Sequence, residues 1–493
     1  MNEKKLNFSR DNQINKLSAN NNFDLLIIGG GIVGAAALEM ASNQNINTLL
    51  VEKNDFSSGA SSRSTKLLHG GIRYLPQMEF GLVRESLQEQ KVLRQLLGNL
   101  YKPLDLVAPI YKDDGFADLP KLFQSNNIAS GVFKFGLSLY DFLGSRSKPE
   151  KHQLISKEET INMFPHIKKE NLIRSFLFRD AQTDDAKLVL TLLRNAVEIN
   201  QSTAVNYLEV LNINKDNKGY NVELKDTINE EEYRIRCKYI IAATGTHSLP
   251  GEYLSKSTKL TFSGGAHLVL NGDPLSLNNK GILLPRTEDN RVMFVLPWLD
   301  NTIIGTTDTK HFSGSLDIPF ANQDDIDYLI RNVKKYFDIE NIDYVSSWSG
   351  VRALIGRGET SSKNISRGHF VNNIDKNFIQ VAGGKLTGFR IIAKEALSYL
   401  FNNEFQISEL GFIDEIINID NQLNNENIEK CIENYSAAKP VDYMIRRSHL
   451  SWFNKDGGKY YIAEIAKKFK YKNAEEETLK ELKAEGLITS DTL

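Results

Sequence analysis

"FDLLIIGGGIVGAAALEMASNQNINTLLVEKNDF", residues 23–56, reads as a short apolar strand, a glycine turn, a small-residue helix and a second strand, Thr48 to Val51, ending at Glu52. Gly29, Gly31 and Gly34 supply a G-x-G-x-x-G spacing at the strand-to-helix turn, where each glycine has a task. The first permits the tight turn, the second lets backbone approach a pyrophosphate, and the third lets the helix lie close to the strand. The helix N-terminus offers free N–H groups and a positive dipole end to that pyrophosphate. Glu52 stands where a carboxylate accepts from ribose hydroxyls. A chance glycine cluster would not bring strand, helix, second strand and acid together. The stretch specifies a dinucleotide-binding α/β unit, without separating a nicotinamide from a flavin dinucleotide.

Segments farther along the chain bear on that choice. "KYIIAATGTHS" runs an apolar strand, Tyr239 to Ala242, into Thr244 and Gly245. "FIQVAGGKLTGFRIIAKEALSYLF" gives another strand, then Gly383 and Gly384, then a helix from about Phe389 to Phe401 with apolar residues at helical spacing. Its glycine turn before a helix N-terminus makes a second site for an anion or a polar ring edge. Widely separated strand ends of this kind suggest one parallel sheet receiving one long cofactor at its edge. An adenine dinucleotide that carries a flavin fits this better than a two-domain nicotinamide enzyme does.

Bulk properties set limits. The chain has 493 residues, more than one hydrophobic core usually supports, so two or three domains are expected. A formal charge of -2 gives no general attraction to nucleic acid. Cys237 and Cys431 are too few for a disulfide framework, no Cys or His spacing supports a metal site, and a reducing, cytoplasmic setting is expected. No signal-peptide core and no membrane-spanning run is read in the sequence.

The loop "GASSRSTKLLHGGIRYL", residues 59–75, packs hydroxyls, a glycine pair and cations into one turn. With "GGGIVGAAA", "TDDAKLVL", "FVLPW", "IIGTTD", "SGVRAL" and "GGKLTGFR" in this order, the chain resembles the FAD-dependent glycerol-3-phosphate dehydrogenases from about Phe23 to Leu400. A weaker echo follows in "AKPVDYMIRRSHLSWF". The resemblance implies a glutathione-reductase-type FAD-binding Rossmann domain (α/β) with an inserted antiparallel α+β cap and a short C-terminal helical domain. It implies oxidation of sn-glycerol 3-phosphate to dihydroxyacetone phosphate. The expected partition is a polar tail over 1–22, a discontinuous FAD domain over 23–110, 170–250 and 346–405, a cap over 111–169 and 251–345, and the helical domain over 412–493.

By resemblance, Ser61, Ser62 and Ser64 lie beside the FAD pyrophosphate and isoalloxazine. Lys66, His69, Gly70 and Gly71 continue along the flavin, and Thr244, Gly245, Gly383, Gly384, Lys385, Leu386 and Thr387 complete its site. Arg73 and Tyr74 face the substrate, with Thr307 reaching the same cleft. Candidates for holding a dianionic phosphate are Arg73, Arg352, Arg367 and Lys385, because Arg and Lys donors match phosphate oxygens. Each of them serves equally well as a surface charge. His267 is the preferred proton acceptor, its neutral imidazole titrating near working pH; Arg352 or Lys385 beside the C2 oxygen would instead stabilise a developing alkoxide. Asp184 and Asp185 are read as an N-cap. Family members carry a Lys in a K-G-x-H pattern, where this chain has Gly264 before Gly265, Ala266 and His267.

Family members pass electrons to a quinone or to oxygen. The oxidases carry an extra cap insertion for which this sequence has no obvious room, which favours quinone. A homodimer and a peripheral seat on the inner membrane face are further expectations, with residues 131–144 and 459–472 as candidate surface helices. The alternatives are another 2-hydroxy acid or amine as substrate, an oxidase, or a flavin-binding scaffold without turnover.

Overall fold

The computed structural model describes residues 8–71, 80–112, 152–200, 202–355, 368–401 and 423–488. The opening strand, Asn22–Ile28, lies at the centre of a sheet. The parallel strands Glu232–Ala242 and Thr48–Val51 flank it, pairing Leu25 with Tyr239 and with Thr48. Phe378–Gly383 and Thr203–Val205 extend the parallel set on either side. A continuous apolar run suits a strand covered on both faces, and Leu25, Leu26 and Ile27 are fully buried. The helix Ile32–Ser42 is buried along its length because its alanines admit close neighbours, the helices Asp185–Asn200 and Phe389–Leu400. The turns after Ile28, Val51, Ala242 and Gly383 therefore meet at one edge, as the sequence implies.

A second, nine-stranded sheet forms the cap. Gly281–Leu284, Met293–Trp298 and Asn301–Gly305 run antiparallel there, as their turn residues foretell. Three stretches expected in the FAD domain instead pair in this sheet: Lys102–Tyr111, Leu172–Gln182 and Ser346–Ile355. Their local pattern suits either sheet, and non-local pairing decides. Leu67–Leu68, from the serine-rich loop, pairs with Ala181–Gln182 at the edge of the cap sheet.

The N-terminal stretch differs from the polar tail expected. Arg10–Ala19 is a helix capped by Ser9, Phe8 is fully buried against Phe56, and Arg10 reaches Asp226 at 2.8 Å. The C-terminal region is helical, with Asn425–Asn434 and Ala474–Ala484 its longest described helices. Residues 131–144 lie outside the described residues. Residues 459–472 do not form one amphipathic helix. A 3₁₀ segment ends at Tyr461, a short helix covers Ile462–Ala466, and Ile462, Ile465 and Phe469 are spent on the protein core. Among the described residues no helix is long and apolar enough to cross a membrane.

The C-terminal region is tied to the dinucleotide fold by charge. Asp55, just beyond the second strand, pairs with Arg446 and Arg447, all of them buried; Arg446 also holds Asp442 at 3.0 Å, and Asp442 accepts from the Tyr207 hydroxyl at 2.6 Å. Burial pushes the Asp55 carboxyl up, but Arg447 and Arg446 outweigh it and hold it below the ordinary carboxylate range. A depressed folded value means the contribution is complete above the unfolded pKa and is lost as pH falls through the folded one. Asp55→Ala leaves the buried Arg447 without its carboxylate and Arg446 with Asp442 alone, and should cost about 3–5 kcal/mol in denaturant unfolding at pH 7. Asp24→Asn, which breaks the exposed pair with Lys238, should cost less than about 0.5 kcal/mol.

Candidate active site

A cavity of about 660 Å³ runs from the turn beyond the opening strand to the cap sheet. Gly29 has φ +113°, and a Cβ there would lie 2.4 Å from the Ala243 carbonyl; a Cβ on Gly34 would lie 2.0 Å from the carbonyl of Gly29. Gly31 faces the cavity beside Ser61, whose Oγ accepts from the Ile32 N–H at 3.0 Å. Glu52 accepts from Gly30 N–H at 2.7 Å and Asn54 N–H at 2.9 Å. Burial pushes its carboxyl up, and these two N–H groups oppose that. The acid thus braces the turn while also lining the cavity.

The serine-rich loop divides its residues between cavity and interior. Ser61, Ser64, Thr65 and His69 line the cavity, while Ser62, Lys66, Gly70 and Gly71 stand behind the wall. Lys66, with φ 62°, turns inward: its Nζ donates to the Ser62 carbonyl at 2.7 Å and to Asp185 at 2.6 Å. The Ser64 hydroxyl also donates to Asp185, at 2.6 Å. Asp184 does cap its helix, accepting from Lys187 N–H at 3.1 Å, and its other oxygen meets His449 at 2.5 Å. Arg73, Tyr74 and Arg367 lie outside the described residues.

Across the cavity, Thr244 and Gly245 form one turn and Gly383, Gly384, Lys385, Leu386 and Thr387 another; all of them line it. Gly383 and Gly384 have φ 73° and 94°, a region open to glycine at little cost. The cap supplies His267 and Arg352. Arg352 donates to the Gly264 carbonyl at 3.2 Å and the Thr306 hydroxyl at 3.0 Å, and its Nη1 lies 3.8 Å from Asp308. His267 stacks on Trp348 at 5.1 Å and places Nε2 2.9 Å from the Thr65 hydroxyl. Burial first, then Arg352 and Lys66, push its proton affinity well below the ordinary 6.5, so the ring is neutral. Thr307 is internal, its hydroxyl accepting from Ala266 N–H at 2.9 Å, because the site-facing position passes to Thr306.

Sequence reasoning missed Thr65, and it missed Arg63, which lines the cavity while its guanidinium holds Glu485 of the C-terminal region at 2.5 Å. Both residues sit inside the loop that drew attention, and their partners are hundreds of residues away. Two glycines also gain a purpose. A Cβ on Gly265 would lie 2.2 Å from the Arg352 guanidinium, and one on Gly305 would lie 2.1 Å from the His267 ring. A Cβ on Gly264, where the family Lys would stand, would lie 2.6 Å from that of Phe312.

The family model for FAD dependent oxidoreductases matches residues 24–391. The chain belongs to that family. Among curated relatives, the mitochondrial glycerol-3-phosphate dehydrogenase of Bos taurus is 32% identical over 412 residues, covering 79% of this chain and 54% of the relative. The chain thus spans about half the length of that protein. The aerobic glycerol-3-phosphate dehydrogenase of Staphylococcus epidermidis is 33% identical, with 77% of this chain and 67% of the relative covered. Among solved structures, the FAD complex of Bacillus halodurans glycerol-3-phosphate dehydrogenase has a TM-score of 0.71 at 22% identity, covering 97% of this chain and 96% of that one. Mycoplasma pneumoniae L-alpha-glycerophosphate oxidase with FAD bound has a TM-score of 0.61 at 20% identity, covering 80% and 98%.

The residues present fit FAD. A glycine turn with no Cβ to obstruct a pyrophosphate, an acid at the ribose position, and a second glycine turn far along one continuous cavity match a long dinucleotide. Gly29→Ala should therefore yield protein with little bound flavin, read as the ratio of visible to ultraviolet absorbance. Gly265→Ala should keep its flavin and instead displace Arg352.

Proposed function

We propose that the chain oxidises sn-glycerol 3-phosphate to dihydroxyacetone phosphate and that its electrons pass on to a quinone. One observation carries the reading: Arg352, Lys385 and neutral His267 line the same cavity as the dinucleotide turn. The names of relatives at 32–33% identity support the substrate. Bound FAD supplies the hydride acceptor.

Arg352 and Lys385 hold the phosphate. Gly265 leaves the guanidinium room to lie along the strand, and Asp308 and Thr306 orient it. His267 takes the proton from the C2 hydroxyl. A ring held well below its ordinary value is a weak base, but a substrate dianion on Arg352 offsets one of the causes and raises its proton affinity. Trp348 and the Thr65 hydroxyl keep the ring in place.

Anaerobic glycerol 3-phosphate should bleach the flavin, while lactate, 2-hydroxyglutarate and glycine should leave it oxidised; an unchanged spectrum with glycerol 3-phosphate rejects the substrate. His267→Gln should slow bleaching by about two to four powers of ten with flavin content unchanged. Arg352→Ala should raise the substrate concentration needed and slow reduction, again with FAD retained. Reoxidation by a soluble quinone analogue much faster than by air separates the quinone reading from an oxidase.

A further inference from the structure

A small hairpin forms a two-stranded sheet of its own, packed against the cap strand Ser346–Ile355. Its strands Ser313–Gly314 and Pro319–Phe320 pair only with each other. The bend is well specified: Gly314 has φ 83°, where a Cβ would meet the Ile318 carbonyl at 2.2 Å, and the Ser315 hydroxyl accepts from Ile318 N–H at 3.0 Å. The tip brings Leu316 and Asp317 to the wall of the cofactor cavity.

Asp317 grips two separate turns of the dinucleotide fold. Its carboxylate lies 2.7 Å from Lys53 Nζ and accepts from Asn54 Nδ2 at 2.9 Å, both residues following Glu52. It also meets His247 Nε2 at 3.2 Å, in the turn after the Ala242 strand. One carboxylate from the hairpin thus joins two neighbouring turns, whose Lys53 and His247 side chains approach to 3.5 Å, at the end of the cavity where Glu52 marks the ribose. Arg352 and His267 belong to the cap sheet, and the partners described for them above, Gly264, Thr306, Asp308 and Thr65, lie outside the hairpin. The Lys53, Asp317 and His247 side chains remain 30–38% exposed. Each contact is thus weak alone and screened by salt, which makes the grip reversible.

We propose that residues 313–320 form a latch over the ribose end of the cofactor cavity, with Asp317 the positioning residue that closes it on Lys53, Asn54 and His247. The latch governs how long the dinucleotide stays and leaves substrate chemistry unaffected. The inference rests on the dinucleotide reading of the cavity and is independent of the substrate.

Dilution of the holoenzyme, followed by the rise in free-flavin fluorescence at low and high potassium chloride, tests it. Asp317→Ala should release FAD about tenfold faster and lose most of the salt response of the parent. Lys53→Met, which removes one of the three contacts, should also speed release but by a smaller factor, and the double variant should be no faster than Asp317→Ala, where the Lys53 contact is already lost. Flavin that remains bound should be reduced by substrate at the parental rate. Parental release rates in both single variants overturn the latch, as does a faster release that keeps the full salt response, because that marks general loosening. If Asp317→Ala does not fold, Lys53→Met and the parental salt response decide alone. A parent whose flavin stays bound but is not bleached by glycerol 3-phosphate rejects the substrate reading and leaves this one standing.

Discussion

Lys66 and Asp185 form an ion pair in the protein interior, and the shape of the serine-rich loop depends on it. Lys66 is 1% exposed and sits over the rings of Trp298 and Trp348 at 4.9 and 5.3 Å. A charge so placed is tolerable only if it is compensated. Asp185 supplies the opposite charge, and the Ser62 carbonyl and Ser64 hydroxyl complete the shell. Meeting these demands forces Lys66 into left-handed backbone and folds the hydroxyls around it. The neighbouring Thr65 is thereby turned towards His267, and Ser61 towards the first turn of the dinucleotide helix.

A second constraint is room. Arg352 and His267 are large, polar and close to backbone, and each depends on a facing glycine, Gly265 and Gly305, for its place. The aromatic stack from His267 through Trp348 to Trp452 then links the cap to the C-terminal region. That region also reaches the cofactor loop through Glu485 on Arg63, and the head of the Asp185–Asn200 helix through His449 on Asp184. A stretch with little motif content of its own thus supports three parts of the site.

Legibility in the sequence followed locality. The opening unit was readable because strand, glycines and acid lie within 34 consecutive residues. The cap hairpins at 281–309 were readable because their turns are local too. Strand membership at 102–111, 172–182 and 346–355 was not, since register partners lie far along the chain and either sheet would accept the same apolar pattern. Lys66 read as a cation for the flavin, and nothing nearby in sequence announces Asp185 as its partner. Phe8 and Arg10 sat in a stretch that looked merely polar, yet Asp226 makes the burial of Arg10 affordable. The amphipathic appearance of 459–472 reflected packing against the chain itself.

The two residues Leu67 and Leu68 carry a consequence for how small molecules come and go. They continue directly from the cofactor loop and are hydrogen-bonded as the last strand of the cap sheet. A swing of the whole cap away from the Rossmann domain would tear that ladder and expose two buried leucines. Traffic through the cavity is therefore confined to side-chain and loop movements at its rim, and exchange resembles passage through a doorway more than the opening of a clamshell.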